Sequence, residues 1–305
     1  MAKELTIIIL TYNSSHIIKN CLESFDCKKY DVVIVDNASS DNTIAFVTRS
    51  FPQVKIISNK VNAGFGRGNN VALRDIKTKY SLILNPDALI SDQDIEKVIN
   101  QLDNNPKAAI AGPVVLENCI RDQSEIGQKL QDIQKDLLGT KDNFRKKLSK
   151  TCYEVRFIIG CAMFLKMDLM KKVGFFDENF FMFYEDDEIC KRVNDFGFFN
   201  IIISDAFAYH AGGKSSKNTA NFWSVYKKSW HINAWSKFYW KKVRKGWFRA
   251  KRSSFKFCFK YLILSLHSLV FFNKDNLANN LGALSGSFAY FVGLKAFKKN
   301  GQPRG

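Results

Sequence analysis

The sequence predicts an α/β fold whose early strands are parallel and buried, followed by a basic region that is mainly helical. Short β-branched apolar runs alternate with segments of helical spacing, and each run stops at a cluster of Asn, Asp or small polar residues. The charge is also divided. From Lys214 to the end there are 19 Lys and Arg against one acid, whereas residues 1–213 balance 27 against 28. A neutral first part and a polycationic last part imply two different jobs. At 305 residues and 46% apolar, the chain can bury one large domain plus an appendage, which argues against disorder over most of its length.

Leu5 to Leu10 is a continuous β-branched run, as expected of a strand buried on both faces, and it ends at Thr11-Tyr12-Asn13. Ser14-Ser15 can cap a helix carrying Ile17, Ile18, Cys21, Leu22 and Phe25. Val32–Val35 is a second strand, ending at Asp36-Asn37-Ala38-Ser39-Ser40-Asp41. After another helix, Val54–Ile57 forms a third, followed by Asn59 and the loop Asn62-Ala63-Gly64-Phe65-Gly66-Arg67-Gly68. The fourth, Ser81–Leu84, stops at Asn85-Pro86-Asp87, because a proline has no N–H to continue a ladder. Residues 92–104 read as a helix, Ala108–Ala111 as a strand closed by a Gly112-Pro113 turn, and Ile126, Leu130, Ile133 and Leu137 as one face of an amphipathic helix. Phe157–Phe164 reads as a strand crowded with small residues, and Ala206–His210 as a last strand.

Ligands of doubly wound sheets sit beyond the carboxyl ends of the strands, where Tyr12, Asp36, Asn62 and Asp87 fall. Gly64, Gly66 and Gly68 follow the third strand rather than the first, which argues against a Rossmann dinucleotide site; their backbone amides can still approach a diphosphate, or the loop can be a plain turn. An aromatic stretch, Phe180–Tyr184, abuts four acids, Glu185-Asp186-Asp187-Glu188. Such a run is often a solvated helix start, but apolar neighbours can raise a carboxylate pKa towards that of a general base. His210 closes the last strand, and with Asp87 it makes a pair suited to a divalent ion on a diphosphate. No His/Cys spacing suggests zinc, and no nucleophile elbow supports a Ser-His-Asp site.

The motif order resembles the inverting family 2 glycosyltransferases of the GT-A fold and, within them, bacterial rhamnosyltransferase-type enzymes. The matching pieces run from Thr11-Tyr12-Asn13 through Asp36–Asp41, Asn62–Gly66, Asn85-Pro86-Asp87 and Gly160–Met163 to Glu185-Asp186 and His210. The resemblance implies a Rossmann-like mixed sheet flanked by helices, with a catalytic domain over residues 1–215 and a basic helical region over 216–305. It implies that Thr11, Tyr12, Asn13, Asp36, Asn37, Asn62, Gly64 and Asn85 bind a nucleotide diphosphate sugar, with Tyr12 against the base and Asp36 accepting an imide N–H. Asp87 and His210 would hold Mg²⁺ or Mn²⁺, Gly160, Cys161 and Glu185 would face the acceptor, and Asp186 would be the catalytic base. Asn85 stands where many GT-A enzymes carry an aspartate, which leaves an ion with fewer charged ligands. The implied reaction moves a sugar, dTDP-rhamnose first and a UDP-hexose or UDP-N-acetylhexosamine next, to a glycan or polyprenyl-diphosphate-linked saccharide in cell-surface polysaccharide synthesis.

The last third interleaves Trp, Tyr and Phe with Lys and Arg from Trp223 to Arg252. Such a pattern can stack on single-stranded RNA, or lie at a membrane interface against anionic lipid. Coupled to a glycosyltransferase, the membrane reading is favoured over nucleic acid; the competing one is an RNA- or membrane-binding protein on a degenerate, non-catalytic nucleotide-sugar fold. Tyr261–Phe272 is too short to span a bilayer, which needs about 20 residues, and reads as an interfacial or core helix. Seven cysteines (Cys21, Cys27, Cys119, Cys152, Cys161, Cys190 and Cys258) contain no CxxC pair, and only a strand-length apolar run follows Lys3-Glu4. Free thiols and no signal peptide are expected, hence a cytoplasmic protein peripheral on the inner face of the membrane. Oligomeric state has no signature in the sequence.

Overall fold

A ten-stranded mixed sheet organises the first part of the chain in the computed structural model, which describes residues 3–117, 143–211 and 221–305. The strands are β1 Leu5–Thr11, β2 Asp31–Asp36, β3 Lys55–Ser58, β4 Tyr80–Leu84, β5 Ala88–Ile90, β6 Ala108–Glu117, β7 Phe144–Lys147, β8 Cys152–Val155, β9 Ala162–Lys166 and β10 Phe199–His210. Their order is β3-β2-β1-β4-β9-β6-β10-β8-β7, with β5 antiparallel on β10. The first four are parallel and largely apolar inside: Ile7, Ile8, Ile9, Ile34, Leu82 and Leu84 are all buried. Burying each such side chain contributes about 1.5–3 kcal/mol.

The sheet is mixed because β9 enters antiparallel between β4 and β6. The strand expected over Phe157–Phe164 starts only at Ala162, and Gly160-Cys161 is the turn that leads into it. The turn expected at Gly112-Pro113 is also corrected: β6 runs through it to Glu117. Beyond Ala111 β6 pairs with β10 alone among the described residues, and the β10 register jumps between Ile203 and Phe207, opposite Pro113-Val114. A bulge there accommodates a residue that cannot donate. The helix expected from Ile126 to Leu137 lies outside the described residues.

The flanking helices are α1 Ile18–Leu22, α2 Thr43–Ser50, α3 Phe65–Leu73, α4 Asp92–Asn104, α5 Met167–Val173 and α6 Glu185–Asp195. α4 starts where Ser91 accepts from the Asp94 N–H at 3.1 Å, with Asp92 and Asp94 in its first turn, and it buries Ile95, Val98 and Leu102. The cap expected from Ser14-Ser15 takes a different form. The Ser14 carbonyl receives the N–H groups of Ile17 and Ile18, and no side chain caps α1.

The chain divides into two compact units: Met1–Lys60, Gly68–Phe175 and Ile189–Lys217 form one, and Val61–Arg67, Phe176–Glu188 and Asn218–Gly305 the other. The second contains α7 Phe222–Ser229, a π-helical turn at Trp230–Trp235, α8 Ser236–Lys245, α9 Trp247–Val270 and α10 Lys274–Phe291. Its core is aromatic, with Trp230, Trp235, Phe238, Tyr290 and Phe297 around small residues such as Ala234 and Ala289. Gly286 lets α10 approach closely, since a Cβ there would lie 2.4 Å from the Trp230 carbonyl oxygen. Among the described residues, no helix is long and apolar enough to cross a membrane.

Candidate active site

In the first unit, side chains gather at the carboxyl ends of the parallel strands. Thr11 and Asp36 are the last residues of neighbouring strands and directly paired in register, so the Thr11 hydroxyl donates to Asp36 Oδ1 at 3.0 Å. Ser39 adds its N–H to Oδ2 at 2.9 Å and its hydroxyl to Oδ1 at 2.5 Å. The carboxylate is 3% exposed and aimed by three donors, and lone pairs remain on it for a ligand N–H. Asn13 sits in the left-handed region at φ 54°, which asparagine tolerates, and its Oδ1 accepts the Ser40 N–H at 2.8 Å. Asn37 receives the Asn59 amide at 2.9 Å. Tyr12 is 41% exposed, so its ring face is open to a ligand.

Ser39 was within a recognisable motif, but its role as the brace of Asp36 needs the turn geometry, with Ala38 at φ 62°. Asp41 is a second brace. Burial works against its ionisation, but donors from Thr43 and Ser15 outweigh this and hold it down at about 2.

Beyond β4 the chain turns through Asn85-Pro86-Asp87. The Asn85 N–H donates to the Cys161 carbonyl at 2.9 Å, which extends the β4–β9 pairing by one step, and the Asp87 carbonyl accepts from Ala211 at 3.0 Å. β5 then pairs with β10, placing Ala88 opposite His210. His210 Nε2 lies 3.4 Å from Asp87 Oδ1 and 3.4 Å from Asn85 Nδ2. The Cys161 thiol is part of the buried core. Cys21, another buried thiol, reaches the Asn85 carbonyl at 3.5 Å; burial, then the charge of Asp87, push it well above the usual thiol range.

The Asp87–His210 pair fits a divalent ion in donor chemistry and spacing: two adjacent ligands of an octahedral ion stand roughly 3 Å apart. Among the described residues, no group of three or more His, Cys, Asp and Glu side chains is arranged to hold a metal. An ion here would depend on oxygens from a ligand to complete its shell.

The second unit holds Asn62, Gly64, Glu185 and Asp186. Asn62 Oδ1 accepts the Gly64 N–H at 3.0 Å, and the Phe65 N–H donates to the Phe181 carbonyl at 2.9 Å. At Gly64 φ is +79°, and a Cβ would lie 2.1 Å from that same carbonyl oxygen. The missing side chain therefore serves close chain packing. Gly64→Ala is expected to cost roughly 2–4 kcal/mol, measured as a lower urea midpoint at unchanged slope.

The acids follow two strained residues, Phe183 at φ 69° and Tyr184 at φ 72°, a conformation bulky side chains adopt only when their surroundings impose it. The C-terminal helices supply part of that constraint. Ser236 donates to the Met182 carbonyl at 3.0 Å, and Tyr239 donates to Asp177 at 2.9 Å. Phe181 packs on His231 and Phe297. No local pattern in the sequence signals that the basic tail braces the acid motif.

Glu185 is buried, and its Oε2 has no hydrogen-bond partner among the described residues. Burial, reinforced by the charge of Asp186, raises its pKa to about 8. Asp187 rises to about 6 for the same two reasons, with Arg244 pulling the other way. Because Glu185 is raised from an ordinary 4.5, its stabilising contribution is complete below that value and lost as pH climbs towards 8. Glu185→Gln should therefore flatten the fall in Tm between about pH 5 and 8; an identical slope in both proteins would mean that the carboxyl titrates normally.

The profile of the family described as "Glycosyl transferase family 2" matches residues 6–174, more than half of the chain. The chain belongs to glycosyl transferase family 2. Among its relatives, a low-salt glycan biosynthesis hexosyltransferase of Haloferax volcanii is 28% identical over 63% of this chain and 62% of its own. This chain thus matches less than two thirds of that relative's length. A dTDP-rhamnosyl transferase of Shigella flexneri is 27% identical over 68% of this chain and 69% of its own. An N-acetylglucosaminyl-diphospho-decaprenol L-rhamnosyltransferase of Mycobacterium tuberculosis is 19% identical over 82% and 88%. Among solved structures, a mannosyltransferase from Pyrobaculum calidifontis in complex with GDP-Man and Mn²⁺ superposes with a TM-score of 0.56 at 16% identity, over 95% of this chain and 87% of that one. The family 2 chain has the mixed-sheet GT-A architecture, with a helical C-terminal region.

Proposed function

We propose that this family 2 glycosyltransferase is an inverting, metal-dependent enzyme that transfers a sugar from a nucleotide diphosphate donor to a hydroxyl of a glycan or polyprenyl-diphosphate-linked saccharide. dTDP-rhamnose is the preferred donor, in line with the relatives named for rhamnosyl transfer, and a UDP-hexose or UDP-N-acetylhexosamine is next. The supporting observation is the 3.4 Å meeting of Asp87 and His210 beyond β4, together with an Asp36 at the end of β2 braced on both oxygens.

In this reading Tyr12 offers its ring to the base, and Asp36 accepts the imide N–H that uracil and thymine share. Thr11, Asn13, Asn37, Asn62, Gly64 and Asn85 shape the donor site. Asp87 and His210 hold Mg²⁺ or Mn²⁺, which when bound offsets the charge of the departing diphosphate. Asp186 takes the proton of the acceptor hydroxyl, and a single displacement inverts the anomeric carbon. Glu185, whose burial favours its protonated form, can donate to an acceptor oxygen, and Gly160-Cys161 form the backbone on the acceptor side. The location that goes with this role is cytoplasmic and peripheral, on the anionic inner face of the cell membrane.

A thermal-shift series tests the reading, because a ligand that binds only the folded chain raises its stability. Mn²⁺ alone should leave Tm nearly unchanged, whereas Mn²⁺ with dTDP-rhamnose or a UDP-sugar should raise it by several degrees. No shift with any nucleotide sugar, together with salt-sensitive RNA binding, would replace this reading with the nucleic-acid one.

A further inference from the structure

Helix α9 is built inside out. Its fully buried positions are small or polar, Ala250, Ser254, Ser265 and Ser268, while most of its large apolar side chains face solvent, although Phe257 packs on the aromatic core. Phe248, Phe255, Phe259, Ile263, Leu266 and Val270 are 70%, 47%, 57%, 66%, 56% and 67% exposed. At 100° per residue these six fall within one third of the helix circumference, opposite the buried serines. The serines are satisfied locally: Ser265 and Ser268 donate to the carbonyls of Tyr261 and Leu264, and Asn280 of α10 donates to Ser268 at 3.0 Å. Small and hydrogen-bonded residues between helices, with bulky apolar ones outside, reverse the arrangement expected of a helix facing water.

The charges narrow the choice of occupant. Arg252 lies within the apolar stripe, Arg249, Lys256 and Lys260 border one edge of it, and α9 carries no acid. The exposed stripe continues into Phe271 and Phe272, the latter 91% exposed at φ 52°. A second copy presenting the same face would oppose cation to cation, whereas an anionic lipid surface matches both the apolar stripe and its basic border.

We propose that α9 is an interfacial helix that lies in the plane of an anionic bilayer, with Phe259, Ile263 and Leu266 in the acyl boundary and Lys256 and Lys260 at the headgroups. This rests on the membrane-surface location given above and names the surface that carries it. No crossing is required, since an in-plane helix embeds only its outer face, by roughly 5–10 Å.

The test is flotation of the full chain with vesicles of phosphatidylcholine, with and without phosphatidylglycerol. The wild type should float with the anionic vesicles and remain largely at the bottom with the neutral ones. Phe259→Glu with Ile263→Glu should lower the bound fraction roughly tenfold or more, and Lys256→Glu with Lys260→Glu should lower it comparably and weaken its salt dependence. Both pairs are exposed, and Tm with and without nucleotide sugar on the same samples reports folding and donor binding. Flotation unchanged by either pair would overturn the proposal. So would equal binding to neutral vesicles, or a wild-type dimer that the apolar pair splits without changing flotation. A chain that binds donor but no vesicle removes the membrane surface alone; one that binds vesicles but no donor removes the enzymatic reading alone.

Discussion

Replacing Asp186 with asparagine is expected to lower turnover by about 10²–10⁴-fold, the usual worth of a positioned general base, while donor affinity stays within about twofold. The substitution preserves shape. Asp186 Oδ1 accepts the Asp187 N–H at 3.0 Å, and an amide oxygen can do the same, so the start of α6 should survive. What disappears is the capacity to take a proton. Asp187 is the neighbour that could compete for the role, because burial and the charge of Asp186 raise its pKa to about 6. That value already includes the pull of Arg244, and it is the motif order, with its acid pair Glu185-Asp186, that assigns the base to Asp186. Asp187→Asn should therefore cost less than Asp186→Asn in kcat, and a reversed order would move the base to Asp187. Turnover retained in Asp186→Asn removes it as base, and a parallel loss of donor affinity would assign it to binding.

The parallel half of the sheet was legible because its strands are continuous apolar runs, such as Leu5–Leu10 and Val32–Val35, whose burial on both faces leaves little ambiguity. The antiparallel half was not. β9 pairs with β4 across about eighty residues, and neither strand carries a local mark of its partner. Gly112-Pro113 read as a turn by propensity, but tertiary pairing with β10 overrode it at a bulge. At the candidate site the residue types could be read at the strand ends. The pairing of His210 with Asp87 could be expected from their types and strand-end positions, but the route that makes it, β5 turning back antiparallel onto β10, has no local mark. The grouping of Phe176–Glu188 with the C-terminal helices is non-local in the same way. In α9 the polarity of the face is set by which side meets α10, so the run Tyr261–Phe272 alone could not distinguish a core helix from an interfacial one.

Asp87→Ala is the second large effect, and it should appear in metal-dependent donor affinity. The Asp87 side chain is 1% exposed and paired with a histidine, while its backbone is fixed separately by Ala211 and by the β5–β10 ladder. Truncation to alanine therefore removes the ligand without unthreading the turn, and folding stability should change little. Donor affinity in Mn²⁺ should fall roughly 10- to 100-fold, about 1.4–2.7 kcal/mol, and affinity measured in EDTA should be nearly the same in both proteins. His210→Ala supplies the coupling test. If both side chains serve one ion, the double variant should lose little more than Asp87→Ala alone, because the second ligand has nothing left to hold. Fully additive losses would place the two residues on separate parts of the donor, and unchanged affinity in Asp87→Ala would remove the ion from this position.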